Sequence, residues 1–512
     1  MQKTNRTKVV FKDYSPNQIL LLPPSLEEMI SPNHPVRVVN QVVDNLNLDL
    51  ILTKYEGGGC PAYHPRLMLK VLIYGYLTNL YSSRKIEQAL QQNIHFMWLS
   101  GMSYPDHNTI NRFRSDRLKS VLKEVFSQVV MLLVDHGHIT LKEAYLDGTK
   151  IEANANRYTF VWGKAINKSR ERIKSQLKEL WSYAEQVAKE EMEHNELESF
   201  EEIDAEKVTQ TIEKIDKALE GKEVDKEVKQ KLNYAKKNWP DNLERYDQQE
   251  KQMGNRNSIS KTDPDATFMR MKEDHMLNGQ LKPAYNWQIS TQNQFILGYT
   301  LHQNPTDTTT LPLHMESLRE TLGQMPETLV ADAGYGSEQN YEYLENNGVE
   351  AYVKFNYFHK EQSKRFKEDL VKQENLYYNH QHDCYYCPMG QKMTFVEETQ
   401  ATTANNYKQT KRVYQAQNCK GCPMRGPCNK QKENRKIEVN PRLVHYKQMA
   451  REKLNSKKGL QYRSQRPVDV EAVFGNIKYN HHFKRFMLRG LEKTEIEAGL
   501  ISLAHNLRKM AN

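Results

Sequence analysis

The stretch AYLDGTKIEA, residues 144 to 153, decides how the fold of this chain is interpreted. It carries an acidic residue, Asp147, at the end of an apolar run, and Gly148 follows directly. Asp-Gly is a common turn dipeptide, so a turn is the simplest interpretation. The alternative is a strand end that presents a carboxylate to a divalent metal ion. On this stretch alone the turn is favoured, so the rest of the chain has to decide.

The composition sets wide limits. With 512 residues the chain is long enough for a large core and about two to four domains. Its 73 basic and 64 acidic side chains give a net charge of +9, which suits a polyanionic partner without requiring one. No apolar run approaches the roughly 18 residues of a membrane span, and the first residues lack the apolar core of a signal peptide. We therefore expect a cytoplasmic protein that does not enter a membrane.

Residues 1–135 are predicted to form an all-α N-terminal domain. Within it, PDHNTINRFRSDRLKSVLKEVF repeats apolar residues at helical spacing, with Asp106 or Asn108 as the N-cap. Arg112, Arg114 and Arg117 share this predicted helix. They form either a solvated basic face or the surface of a small DNA-binding domain that meets phosphates or base edges.

Residues 136–512 are predicted to form a second, α/β domain. Strand patterns recur around residues 145, 285, 297, 330 and 352, and Gln292-Asn293-Gln294 is a plausible turn between two of them. Residues 164–252 are highly charged with helical apolar stripes, which predicts an inserted helical hairpin. Residues 359–440 are polar, irregular and rich in cysteine, which predicts a second insertion.

Two further acids could join Asp147. Asp332 in LVADAGYGS also ends an apolar strand, and Asp residues at the ends of neighbouring strands can bind the same pair of divalent cations. Glu471 in RPVDVEAVFGNIK is the third candidate. It lies seven residues before Lys478, about two helical turns away on nearly the same face. An ordinary solvated Glu–Lys pair is the alternative.

Other acidic residues are given structural interpretations. The stretch TDPDA is read as a turn in which Asp263 and Asp265 are solvated carboxylates. Asp307 is interpreted as a cap or turn residue.

The cysteines cluster in CYYC, residues 384 to 387, and CKGCPMRGPC, residues 419 to 428. Paired thiolates two residues apart can hold a tetrahedral zinc ion. The predicted zinc ligands are Cys387, Cys419, Cys422 and Cys428, although Cys384 could replace one of them. Reduced free thiols are the alternative. The sixth cysteine, Cys60, is predicted to be an ordinary thiol.

Taken together, these motifs resemble the DDE transposases of bacterial insertion sequences. YLDGTKIEANANRY with Asp147 is similar to their first motif and VADAGYGS with Asp332 to their second. EAVFGNIK with Glu471, followed by LRGL and HNLRKM, is similar to the third. The N-terminal HPRLMLKVLIYGYLTNLYSSRKIEQAL and PDHNTINRFR also resemble such transposases. The family's Tyr-x2-Arg-x3-Glu-x6-Lys signature is kept only from the Glu onward, because Tyr462 and Arg466 are shifted.

The resemblance implies a fold and an activity. It implies an α/β RNase H-like catalytic core with a mixed sheet, preceded by the all-α N-terminal domain and interrupted by the helical and Cys-rich insertions. Asp147, Asp332 and Glu471 would hold Mg²⁺ or Mn²⁺, while Lys478 and Arg466 would position phosphate. The chain would act as a homodimer on double-stranded DNA, cutting at terminal inverted repeats and joining the ends to target DNA.

Two alternatives to this activity stay open. One is an RNase H-like nuclease that cuts without joining. The other is a DNA-binding protein derived from a transposase that no longer cuts.

Overall fold

The computed structural model describes residues 25–55, 61–119, 121–189, 203–271, 279–403 and 405–511. The predictions for the N-terminal segment before residue 25 and for Cys60 lie outside these residues. The protein is a mixed α/β structure in which a curled mixed sheet is surrounded by many helices.

Helices alone form the described part of the chain before residue 136, as predicted. They are α1 Pro35–Asn45, α2 Asp49–Leu52, α3 Pro65–Leu77, α4 Ser83–Gln92, α5 Ile94–Leu99, α6 His107–Arg112 and α7 Leu122–Asp135. The side chain of Asp106 caps α6 by accepting a hydrogen bond from the Thr109 backbone N–H at 2.8 Å. The helix predicted to continue from there is broken, because a π-helical turn, Phe113–Arg117, follows α6 before α7 begins.

The main sheet is built from β1 and from strands that follow the first insertion. In chain order the strands up to the second insertion are β1 Glu143–Glu152, β2 Phe160–Trp162, β3 Ser258–Ser260, β4 Thr267–Arg270, β5 Leu281–Gln292, β6 Phe295–His302, β7 Thr328–Ala331 and β8 Glu350–Val353. The neighbours run in the order β6-β5-β1-β7-β8, and β4 also pairs with β5. β1, β7 and β8 are parallel, whereas β5 is antiparallel to β1, β4 and β6.

The turn predicted between the second and third strand patterns is present. β5 and β6 are joined through Asn293 and Gln294, whose φ angles are 51° and 61°. Positive φ at both central residues is the backbone of a two-residue hairpin turn whose twist matches the strands.

The first insertion is larger than the predicted hairpin. Its described residues form three helices, α8 Gly163–Val187, α9 Ala205–Ala218 and α10 Lys226–Met253, which share a separate hydrophobic core. The third helix was missed because its buried residues, Leu232, Ala235, Trp239 and Leu243, are sparse among charged ones and Pro240 lies among them.

The sequence predicted an irregular second insertion, and this is wrong, because the insertion contains a five-stranded sheet. Its strands are β9 Tyr377–Asn379, β10 Cys384–Tyr386, β11 Lys392–Thr402, β12 Lys408–Ala416 and β13 Lys436–Val439, paired in sequence order and antiparallel. Nearly all side chains of β11 are at least partly exposed. Polar residues therefore lie on both faces of the strand. The alternation of apolar and polar residues by which a strand is recognised in a sequence is absent.

The remaining helices cover the sheet and carry the C-terminal motifs. They are α11 Leu311–Leu322, α12 Glu338–Asn346, α13 Phe358–Glu361, α14 Lys364–Lys367, α15 Arg425–Cys428, α16 Pro441–Asn455, α17 Lys457–Arg466, α18 Ala472–Gly475 and α19 Leu491–Met510. Of the helices described, none combines the length and apolar character needed to cross a membrane.

One hydrophobic core joins the N-terminal helices to the sheet. It includes Leu72 and Val129 from the helices, Leu146 and Ile296 from the sheet, and Leu503 from α19. Helix α19 packs against both α3 and β6, so it links the two regions. The boundary predicted at residue 135 stays a prediction, and the packing across it is continuous.

The stretch TDPDA fixes the start of α19. Asp263 is 1% exposed and accepts hydrogen bonds from the Tyr285 hydroxyl at 3.0 Å and from Gly490 N at 3.2 Å. The prediction that its carboxylate is solvated is therefore wrong. Asp265 accepts a hydrogen bond from Leu491 N at 2.9 Å. Gly490 has a φ of 83°, which glycine adopts readily. These contacts explain the LRGL motif in structural terms.

Candidate active site

Asp147 and Asp332 lie next to each other in the sheet. β1 and β7 are parallel, and their last paired residues are Leu146 and Ala331, so each acid follows directly at the same level. The opening stretch is therefore no turn. Nor does Asp147 end its strand, because β1 continues to Glu152 through pairing with β5. Asp147 stands at the level where the pairing of β1 with β7 stops.

Arg466 connects the first acid to the third. Its guanidinium lies 3.1 Å from Asp147 Oδ1 through Nη2 and 2.7 Å from Glu471 Oε1 through Nη1. Arg466 is 4% exposed, whereas half of the Glu471 side chain is accessible to solvent. Because the guanidinium bridges the two carboxylates, they come together around one positive charge.

The segment that carries Arg466 and Glu471 departs from a regular helix. α17 ends at Arg466, the π-helical turn Pro467–Glu471 follows, and a second π-helical turn, Asn476–Asn480, comes after α18. Single π-helical turns inside helices are frequent at functional sites.

Lys354 is a site residue that the sequence analysis missed. It follows Val353, which pairs with Ala331 across β7 and β8, so Lys354 stands beside Asp332. Its Nζ lies 3.9 Å from Asp332 Oδ1. Burial lowers the pKa of Lys354, and the nearby Asp332 carboxylate opposes that effect. The available signal was a lysine directly after the apolar strand in YVKF.

Tyr335 lies beneath the acids. It is fully buried, and its hydroxyl donates a hydrogen bond to Gln288 Oε1. Burial raises its pKa well above the usual range, and the nearby carboxylates of Asp307, Asp147 and Asp332 raise it further. The phenol is therefore neutral and acts as a donor next to the acidic cluster.

The carboxylates do not form a closed cage. Within the described residues, no three His, Cys, Asp or Glu side chains lie close enough together to hold a metal ion. The guanidinium of Arg466 occupies the gap between Asp147 and Glu471. The donors are hard carboxylate oxygens, the ligand type that a divalent cation such as Mg²⁺ prefers.

Lys478 and Glu471 were predicted to lie on nearly the same helix face, but they do not. Lys478 is 7% exposed, while Glu471 is exposed. A π-helical turn closes its hydrogen bonds over five residues instead of four. With such turns on both sides of α18, the seven-residue spacing no longer returns to the same side.

The three arginines predicted to form a basic surface on one N-terminal helix lie in different environments. Arg112 is exposed. Arg114 is 3% exposed and donates hydrogen bonds to the Tyr76 hydroxyl, Tyr81 O and Asn111 Oδ1. Arg117 stacks on the ring of Tyr55 and donates to Lys54 O. The π-helical turn Phe113–Arg117 separates these directions, so the predicted common basic face is not formed.

The four predicted zinc ligands lie together. Cys387, Cys419, Cys422 and Cys428 line one cavity of about 20 Å³, whereas Cys384 is buried in β10 and does not line it. All five cysteines of the described residues are free thiols.

The sulfurs in this cavity accept hydrogen bonds. Gln391 N donates to Cys387 Sγ at 3.3 Å, Arg435 N donates to Cys419 Sγ at 3.3 Å, and Arg435 Nη1 donates to Cys428 Sγ at 3.0 Å. Four cysteine sulfurs are the donor type that binds Zn²⁺, although in the described structure they do not lie close enough together to form a metal site.

Comparison with known families agrees with these motifs. A transposase domain (DUF772) matches residues 24–116, and a Transposase DDE domain matches residues 386–511. The resemblance to DDE transposases of insertion sequences is confirmed. In general terms, transposase domains of this kind belong to enzymes that bind, cut and transfer DNA. A search of curated proteins finds no match.

The two transposase matches cover only some of the predicted site residues. The DDE-domain match contains Arg466, Glu471, Lys478 and the four cavity cysteines, whereas Asp147 and Asp332 precede it. The match to the N-terminal transposase domain contains Arg112 and Arg114 and ends one residue before Arg117.

Proposed function

We propose that this protein is a DNA transposase that cleaves at the ends of an insertion sequence and transfers the cut strand into target DNA. One observation carries the proposal. Asp147 and Asp332 stand side by side on β1 and β7, and Arg466 links Glu471 to Asp147. Acids from three distant parts of the sequence thus come near one another where β7 ends beside the central strand β1.

We infer that the catalytic core is RNase H-like, and the strand order supports this inference. In the order β6-β5-β1-β7-β8, the first acid lies on the central strand, the second follows its parallel neighbour, and the third lies on a late helical segment. β4 is an additional short strand that pairs with β5 beyond β6.

Asp147, Asp332 and Glu471 would hold Mg²⁺ or Mn²⁺. A divalent cation bound to carboxylates activates water and stabilises the charge on the phosphate oxygens. Arg466 and Lys354 place two further positive groups beside the acids and would orient a DNA phosphate.

The proposal is tested by a cleavage assay with the full-length chain. The substrate is a DNA fragment carrying a terminal inverted repeat, which is first identified by sequencing the DNA that flanks the gene. We expect a Mg²⁺-dependent cut that leaves a 3′-hydroxyl at the repeat end and disappears when the cation is chelated. An intact fragment at all Mg²⁺ and Mn²⁺ concentrations, with DNA bound, would instead favour a DNA-binding protein without catalysis.

Of the three arginines predicted to meet DNA, Arg112 is the one with an exposed side chain. We expect Arg112→Ala to weaken binding to element ends and to reduce the slope of log affinity against log salt by about one. Arg365→Ala removes another exposed arginine and serves as the matched control. An unchanged salt slope in folded Arg112→Ala would assign Arg112 to a solvated surface.

We propose a structural zinc ion in the cysteine cavity. Metal analysis of protein purified without chelator should find about one zinc ion per chain. Cys419→Ser should lower that content sharply, whereas Cys384→Ser should retain it because Cys384 does not line the cavity. Absence of zinc with all thiols freely titratable, or equal loss in both variants, would contradict this assignment.

We also infer a homodimer on DNA. Inverted repeats are related by two-fold symmetry, and protein dimers match such sites with their own two-fold axis. Because the proposed substrate is the DNA of an insertion sequence, we propose that the protein acts in the cytoplasm.

A further inference from the structure

Asp307 stands at the centre of a polar network beneath the two sheet acids. We propose that Asp307 is a positioning residue that fixes Asp147 and Asp332 relative to each other. The inference rests on the proposed function, since it concerns the geometry of the same site. It gives Asp307 more than the cap or turn role predicted from the sequence.

Two amides of β5 converge on one oxygen of Asp307. Asn286 Nδ2 donates to Asp307 Oδ1 at 2.8 Å, and Gln288 Nε2 donates to the same oxygen at 2.9 Å. Gln288 Nε2 also donates to Asn286 Oδ1 at 2.9 Å. Asn286 and Gln288 are both buried, so these hydrogen bonds are shielded from competing water.

This network touches the strand that carries Asp147. Gly148 pairs with Gln288 across β1 and β5. A methyl group added at Gly148 would overlap Gln288 Nε2 and would lie 2.7 Å from Asp307 Oδ1. The residue after Asp147 is glycine because the amide and the carboxylate pass directly against its backbone.

The same network touches the loop that carries Asp332. Asp307 begins a short 3-10 turn, Asp307–Thr309, which lies against the turn Ala333–Tyr335. Thr308 Oγ1 donates to Gly334 O at 3.0 Å, and a methyl group at Gly334 would lie 3.4 Å from Asp307 Oδ2. Tyr335 completes the link, since its hydroxyl donates to Gln288 Oε1.

Asp307 therefore contacts both backbone segments whose separation sets the distance between the acids. A two-metal site tolerates little error, because the cations lie only about 3.5 to 4 Å apart. Loss of groups that orient metal ligands typically costs about 10- to 100-fold in metal affinity or activity. We expect the same scale for Asp307.

The test compares Asp307→Ala and Asp307→Asn with Asp241→Ala, which removes an exposed aspartate from α10. Mn²⁺ binding to the full-length chain is measured by calorimetry, and cleavage is measured in parallel. Asp307→Ala should weaken Mn²⁺ binding by about 10- to 100-fold. Asp307→Asn should recover most of the affinity, because its Oδ1 can still accept both amide hydrogen bonds.

A coupling measurement adds a readout that general destabilisation would not mimic. Gly148→Ala should disturb the same network, so the double variant Gly148→Ala/Asp307→Ala should be no worse than the more severe single variant. If Asp307→Ala does not fold, Asn286→Ala, which removes one of the two donors, carries the test and should weaken Mn²⁺ binding in the same direction.

Several results would overturn the proposal. The first is Mn²⁺ binding by Asp307→Ala that is as tight as binding by the control Asp241→Ala. If Asp307→Ala does not fold, equally tight binding by folded Asn286→Ala would have the same meaning. Asp307→Asn could lose as much affinity as Asp307→Ala, which would indicate a need for charge and not for the hydrogen bonds. Failure of the proposed function would look different, because the wild-type chain itself would not cut, or Asp147→Asn would cut normally.

Discussion

Asp147→Asn, Asp332→Asn and Glu471→Gln are each expected to reduce cleavage by roughly 10⁴-fold, the scale seen when one member of a catalytic unit is removed. Each amide keeps the shape of the acid and loses the negative charge that a divalent cation requires. DNA binding should persist, because it depends on basic surfaces. The triple variant should be no worse than the single variants, because the three acids act as one site.

Cleavage is measured with Mg²⁺ on a fragment carrying one element end, with DNA binding followed in parallel. Asp241→Asn is the control, since Asp241 is exposed on the helical insertion. One of the three variants cutting at the wild-type rate would remove that residue from the site. Two such variants would contradict the mechanism as a whole.

Arg114→Ala is expected to destabilise the protein by about 1 to 3 kcal/mol, the cost of leaving buried hydrogen-bonding groups unsatisfied. Arg114 Nη1 donates to the Tyr76 hydroxyl at 3.1 Å, and that hydroxyl lies 3.3 Å from Glu497 Oε1 on α19. Glu497 is fully buried and accepts hydrogen bonds from Met487 N and Leu488 N. Burial raises the pKa of Glu497, and Arg114 opposes that rise.

Urea unfolding of Arg114→Ala and Arg112→Ala separates a structural from a DNA-binding role. Arg112 is exposed, so its replacement should change the free energy of unfolding by no more than about 0.5 kcal/mol. If Arg114→Ala were equally stable and bound DNA more weakly, Arg114 would belong to the DNA-binding surface predicted from the sequence.

The sequence alone was sufficient for features that local patterns determine. The apolar runs before Asp147 and Asp332 predicted strands, and parallel pairing of those strands places the two acids side by side. The turn at Asn293 and Gln294 could be predicted because polar residues interrupt two strand patterns there. The helical character before residue 136 followed from apolar residues at helical spacing.

Features set by contacts between distant residues could not be predicted. Periodicity assumes a regular helix, so the π-helical turns hid the burial of Arg114 and Lys478. Asp307 was interpreted from its neighbours in the chain, whereas its partners Asn286 and Gln288 lie on strand β5. Lys354 was missed for a similar reason, because only the register of β7 and β8 places it beside Asp332.

Strand transfer is the step that distinguishes a transposase from a nuclease, and it can be measured directly. The full-length chain is incubated with Mg²⁺, a labelled fragment whose 3′-hydroxyl already ends at the inverted repeat, and unlabelled target DNA. We predict that the label becomes covalently joined to target DNA with the wild-type chain and not with Asp147→Asn. Cut element DNA that is never joined to target at any time point would contradict the account and indicate a nuclease.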